Sequence, residues 1–168
     1  MVTVSQLRSD LQASRAHLFD LIRALSEEQF RHVPAGETWC VAAHLAHLLR
    51  DERLWTGRAA RALEEQEPHI ASTGVSNDDD PGLAQRLAVP QIIHGMQAAR
   101  RDLDDLLARC DEAALGRAVK HERLGRMTVA GLAAKMASHE REHAAEAAAI
   151  IRQLPATGRV IIPLARRS

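Results

Sequence analysis

Apolar residues recur at spacings of three and four along four stretches of this chain, and nowhere do they alternate long enough to mark a strand. The pattern predicts an all-α protein. The first helix runs from about Ser5 to Leu25, with Leu7, Leu11, Leu18, Leu21, Ile22 and Leu25 on one face. After a loop holding Pro34 and Gly36, a second helix opens behind Thr38, an N-cap residue type, and reaches about Glu65. It carries Trp39, Val41, Leu45, Leu48 and Trp55.

The stretch from Gln66 to Gly82, with Pro68, Gly74, the run Asn77 to Asp80 and Pro81, is longer than two adjacent antiparallel helices need. It reads as a crossover past one end of a bundle, which leaves helices two and three parallel. The third helix covers about Leu83 to Ala108, with Pro90 kinking or restarting it, because proline removes a donor and crowds the preceding turn. A loop from Cys110 to Met127 leads to Thr128, the cap of a final helix reaching about Leu154, where Pro155 and Gly158 stop it. The tail, residues 155–168, carries Val160, Ile161, Ile162 and Leu164, and is expected to pack on the bundle or on a second subunit.

A length of 168 residues fits one domain with a core of its own. Lys plus Arg and Asp plus Glu each total 22, so there is no excess positive charge to bind nucleic acid or anionic lipid. With aromatics at 2% and no Tyr, stacking surfaces for single strands are missing as well. No stretch is long and apolar enough to span a bilayer, and no basic leader precedes an apolar run. Cys40 and Cys110 are too few for a disulfide framework, so reduced thiols in a cytoplasm are the expectation.

The chemistry of the sequence lies in its nine histidines. His139-Glu-Arg-Glu-His143 places two imidazoles one turn apart on the last helix. Spacing alone says little, since chance gives about 0.5 such pairs in a chain of this composition. Position says more: both fall within the apolar stripe of Leu132, Met136, Ala147, Ile150 and Leu154 and so face inward. Buried unpaired imidazoles cost about 1 to 3 kcal/mol each, and a shared metal ion would satisfy both. The competing reading is a pair of core histidines bonded to carbonyls or to a carboxylate such as Glu52. For a third ligand the second helix offers His44 and His47, and the helical wheel favours His44.

The stretch from Trp39 through His47 to Glu52 resembles the second-helix signature of the DinB-like superfamily, in which a metal-binding histidine follows a tryptophan by eight residues. Met127-Thr128 to Leu132, followed by His139 and His143, resembles the family's final helix. The resemblance implies a four-helix bundle with an up, down, down, up course. It also implies one divalent metal held by His47, His139 and His143, zinc first and nickel second, and it overrides the wheel in favour of His47 over His44. Ala43 departs from the common pattern where an acidic or amide residue is frequent, and Glu146 stands where a glutamine often does.

The family's activities imply a metal-dependent enzyme acting on a small molecule, by hydrolysis or by transfer or isomerisation that uses a low-molecular-weight thiol. A metal-binding stress-response or interaction module without turnover is the alternative. Homodimerisation is implied as well. Glu52 and Glu146 are the candidates for orienting ligand imidazoles, because metal-bound histidines donate their second nitrogen to such partners. Trp39, Trp55, Phe19, Phe30 and Met136 could line a pocket but are read first as core. His17, His32, His69, His94 and His121 show no convergent spacing.

Overall fold

The computed structural model describes residues 2–71 and 81–154. Four long helices form the frame: α1 (Val4–Ile22), α3 (Val41–Glu64), α5 (Val89–Ala108) and α7 (Val129–Gln153). Between them lie the short helices α2 (Glu27–Arg31), α4 (Pro81–Arg86) and α6 (Glu112–Gly116), and the strands β1 (His69–Ile70), β2 (Ala118–His121) and β3 (Gly125–Thr128).

Local chemistry explains the helix starts. The Thr3 hydroxyl accepts from the Gln6 amide at the head of α1, and the Thr128 hydroxyl accepts from the Gly131 amide at the head of α7. Pro90 sits in the first turn of α5, where its missing donor costs nothing, so it restarts the helix after α4 instead of kinking it. Two expected boundaries shift. The first helix ends at Ile22, and a capping box between Ser26 and Gln29 opens the separate turn of α2. The second helix begins at Val41 with Cys40 as its N-cap, not behind Thr38.

Contacts between side chains fix the course of the bundle. Arg8, Leu11 and Arg15 of α1 meet Asp104, Arg100 and Met96 of α5 in reversed order, so these helices are antiparallel. Leu49 and Glu52 of α3 meet Gly95 and Arg100 of α5 in the same order, so those two are parallel. His44 and His47 of α3 meet His143 and His139 of α7 in reverse. The four-helix course is therefore up, down, down, up. Gly95 lets α5 approach α3, since a Cβ there would lie 2.8 Å from Leu49 Cδ2.

The small sheet is a feature the periodicity did not predict. β2 pairs with β3 as a hairpin and with β1 in parallel, giving the order β1-β2-β3. Gly125, at φ +72°, supplies the left-handed residue of the hairpin turn. The Arg117 guanidinium donates to the Ala62 and Glu65 carbonyls and so ties the head of β2 to the C-terminal end of α3. The run Asn77 to Asp80 and the apolar tail lie outside the described residues.

Between the four helices, Leu7, Leu11, Leu18, Leu45, Leu48, Ile92, Met96, Leu107, Leu132 and Met136 pack with almost no exposure. Within this apolar core sits a group of charges. Glu52 and Glu140 are 0% exposed, and Arg15 bridges them. Arg100 bridges them a second time, and the Ser14 hydroxyl donates to Glu140. Two cations against two anions leave no net charge, and one residue from each long helix joins all four together.

Candidate metal centre

The first turns of α3 and the middle of α7 run antiparallel, so residues rising along one descend along the other. Two imidazole pairs result. His47 Nε2 faces His139 Nε2 at 3.0 Å, and His44 Nδ1 faces His143 Nδ1 at 2.8 Å. Trp39, immediately before α3, closes the group. Its ring lies 4.8 Å from the His44 ring, 5.3 Å from that of His47 and 5.9 Å from that of His143, the last nearly parallel at 10°. These residues line a cavity of about 580 Å³ with Glu37, Thr38, Asp51, Glu146, Ala149 and Ile150.

Carboxylates flank both imidazole pairs, with Glu142 Oε2 3.8 Å from His139 Nδ1 on the outer side. Asp51 Oδ2 lies 3.4 Å from His47 Nε2 and 3.3 Å from His139 Nε2. Glu146 Oε2 lies 2.8 Å from His143 Nδ1 and 3.4 Å from His44 Nδ1. Only one of two facing ring nitrogens can carry a proton, and the carboxylate at the third corner can accept it. Arg50 Nη2 donates to the outer oxygen of Asp51 at 3.0 Å and lies 3.1 Å from His47 Nδ1.

Burial lowers the proton affinity of these rings. His44, His47 and His143 are all pushed down to about 4, chiefly by loss of solvation and further by neighbouring imidazoles, with Asp51 opposing the shift at His47 and His143. The Asp51 carboxyl is driven up by burial, yet the hydrogen bond from His139 and the charges of His47 and Arg50 carry it below its usual value. The Glu146 carboxyl is raised by burial, with Glu142 adding to the rise against His139. At neutral pH His44, His47 and His143 are therefore neutral, the state in which an imidazole binds a metal.

The three histidines named by the resemblance come together in the structure: donor atoms of His47, His139 and His143 lie within 4.8 Å of one another. His44, the choice of the helical wheel, reaches the same place, and its ring nitrogen groups with His143 and Glu146. The wheel and the resemblance thus pick two members of one cluster. Glu146 stands at His143 as expected of an orienting carboxylate. Glu52 points away from the imidazoles, into the buried charges of Arg15 and Arg100, and the carboxylate beside His47 and His139 is its neighbour Asp51. The signal was available, because Asp51 follows His47 by four residues and so shares its face.

Phe30 and Met136 are core, and Trp39, Trp55 and Phe19 pack half-buried against it. Trp39 is also a wall of the cavity, while Trp55 lies under the Arg58 guanidinium and Phe19 under that of Arg15. His121 is absorbed into the hairpin, where its Nδ1 accepts from the Arg123 and Leu124 amides. Cys40 and Cys110 are free thiols.

The donor set fits a divalent cation. Tetrahedral zinc with bonds near 2.0–2.1 Å separates its ligand atoms by about 3.3 Å. The 3.0 Å between the Nε2 atoms of His47 and His139 is close to that spacing without an ion to hold them. Two neutral imidazoles have little reason to meet head-on in a core unless a proton or a cation sits between them.

In fold, the chain is similar to YfiT from Bacillus subtilis, described as a probable metal-dependent hydrolase with an unusual four-helix bundle topology. The TM-score is 0.75 at 16% identity, over 89% of this chain and 86% of that one. No curated protein matches. The sequence pattern of the DinB superfamily matches residues 10–147, which span α1 through the second half of α7 and take in all four clustered histidines. The chain belongs to the DinB superfamily.

Proposed function

We propose that this protein is a metal-dependent hydrolase of small molecules, with His47, His139 and His143 holding one divalent cation, zinc before nickel. The observation that carries the reading is the convergence of three imidazoles, two of them made neutral by burial, on the wall of a solvent-reachable cavity. The activity attributed to YfiT points the same way. When bound, such an ion supplies Lewis acidity, polarising a carbonyl or acidifying a water.

The chain's own residues do the rest. Glu146 accepts from His143 Nδ1 and fixes how that ring is turned. Trp39 stacks over the His143 ring and gives the cavity its one large apolar face. Glu37, Asp51 and Glu146 line the cavity and no Lys or Arg does, among the described residues. That lining favours neutral or cationic substrates over anionic ones. It also favours hydrolysis over thiol-dependent transfer, since a thiolate co-substrate would meet three carboxylates.

The test uses protein purified without a polyhistidine tag, analysed for metal and assayed against neutral and cationic esters and amides. A parallel arm offers low-molecular-weight thiols with an electrophile. One ion per chain is expected, with hydrolysis lost by at least about 100-fold in His139→Ala while the helical spectrum is kept. Turnover only in the thiol arm would replace hydrolysis by transfer. Bound metal without turnover in either arm would favour the binding-module reading.

A further inference from the structure

We infer that Asp51 is a fourth protein ligand of the metal centre, making the donor set three imidazoles and one carboxylate. This rests on the metal reading above and adds a residue to it.

His47 Nε2, His139 Nε2 and Asp51 Oδ2 form a triangle with sides of 3.0, 3.3 and 3.4 Å. Those sides bracket the separation of about 3.3 Å expected between ligands of one tetrahedral ion. A single proton can satisfy only one side of the triangle at a time, whereas a cation at its centre satisfies all three corners at once.

The carboxylate is also prepared for the task. Its outer oxygen Oδ1 is held by Arg50 Nε at 3.1 Å and by Arg50 Nη2 at 3.0 Å, which leaves Oδ2 turned to the imidazoles. The Asp51 side chain is only 14% exposed, so little water competes for Oδ2. Glu146, the carboxylate of the other pair, is 57% exposed and has no cation clamping its second oxygen among the described residues. Asp51 is therefore the fixed donor and Glu146 the movable one.

For His47 Nε2 to bind an ion, the ring proton must sit on Nδ1. Arg50 Nη2 then gives up its contact with that nitrogen, while Arg50 Nε keeps its hold on Oδ1. With Asp51 bound, a four-coordinate ion is filled, so a substrate must take a fifth position or displace the carboxylate.

The experiment titrates metal-free wild-type protein, made without a polyhistidine tag, with Co²⁺ in competition with a chelator. Visible absorption reads the coordination, and circular dichroism confirms the fold of each variant. Asp51→Asn is expected to weaken Co²⁺ binding at least about tenfold and to change the d–d band, and Asp51→Glu to recover part of the affinity. As a measurement that needs no variant, a crystal structure of the Co²⁺ form with anomalous data should place Oδ2 within about 2.2 Å of the ion. Equal affinity and an unchanged spectrum in Asp51→Asn, or an Oδ2 beyond 3 Å, overturns the assignment and leaves the three-histidine centre standing. Failure of the wild type to bind Co²⁺ at all removes the centre itself.

Discussion

Asp51 and Glu52 are neighbours on α3, and His139 and Glu140 are neighbours on α7, yet each pair divides between two regions of the bundle. Asp51 and His139 face the cavity, and Glu52 and Glu140 face the sealed charge network. A step of 100° around a helix decides which. Both regions bury polar groups among apolar side chains, and they differ in how those groups are satisfied. In the network every carboxylate meets two guanidinium groups, and no further partner is needed. At the cavity, facing nitrogens compete for too few protons, and an incoming ion completes the arrangement. The first region is built to hold the helices together and the second to take something up.

Breaking the network should give the largest effect on stability. Glu140→Ala leaves Arg15 and Arg100 with one carboxylate partner between them in place of two, and removing one side of a buried ion pair costs about 3–5 kcal/mol. Urea unfolding of the metal-free protein would measure this. Asp51→Asn, by contrast, should change the same midpoint little and act on metal affinity. If Glu140→Ala unfolds at the wild-type urea concentration, the network does not carry the stability assigned to it.

The network was also the part least visible in the sequence, for a physical reason. Helical periodicity reports apolar positions, so it found the four long helices and the inward stripe around His139 and His143. Glu140 sits on a stripe with Met136, Ala144 and Ala147, and Arg15 lies between Leu11 and Leu18, so each reads as a charge on a buried face. Such a residue requires a partner, but only the packed fold says which one, and Glu52 was accordingly assigned to the histidines when its partners are arginines. The sheet escaped because its strands have two to four residues, too few for alternation to register. The helical wheel picked His44 and the resemblance His47 because both face the same partner helix and each meets a different histidine on it.

Acid should dismantle the two regions in different pH windows. Burial holds His44, His47 and His143 at about 4, against 6.5 for a free imidazole. Between those values the unfolded chain takes up protons that the metal-free fold refuses. Stability from this source is complete above pH 6.5 and falls as pH drops towards 4. Burial pushes the Glu140 carboxyl up but Arg15 and Arg100 hold it below its usual 4.5, so its contribution stays complete down to about pH 4.5 and is lost only as pH falls further. Unfolding midpoints of metal-free protein from pH 7 to 5 should therefore slope less in His44→Ala than in wild type. Glu140→Gln should lower the curve without changing its slope there. A wild-type midpoint constant over that range would show that the clustered imidazoles are not depressed.

The smallest effect is expected at Glu146, six residues beyond Glu140 on the same helix. Glu140 follows His139 directly and Glu146 follows His143 by three residues, but Glu140 is sealed and Glu146 is 57% exposed at the cavity rim. Glu146→Gln keeps an oxygen able to accept from His143 Nδ1 and removes a charge that water largely screens. Stability of the metal-free protein should stay within about 0.5 kcal/mol of wild type. Co²⁺ affinity should fall by about tenfold or less, the lower end of what an orienting partner contributes to a metal-bound imidazole. Chelator competition and urea unfolding on one preparation measure the two quantities together. A loss of several kcal/mol here, matching Glu140→Ala, would mean that the cavity rim is as structural as the core, and the division between the two regions would fail.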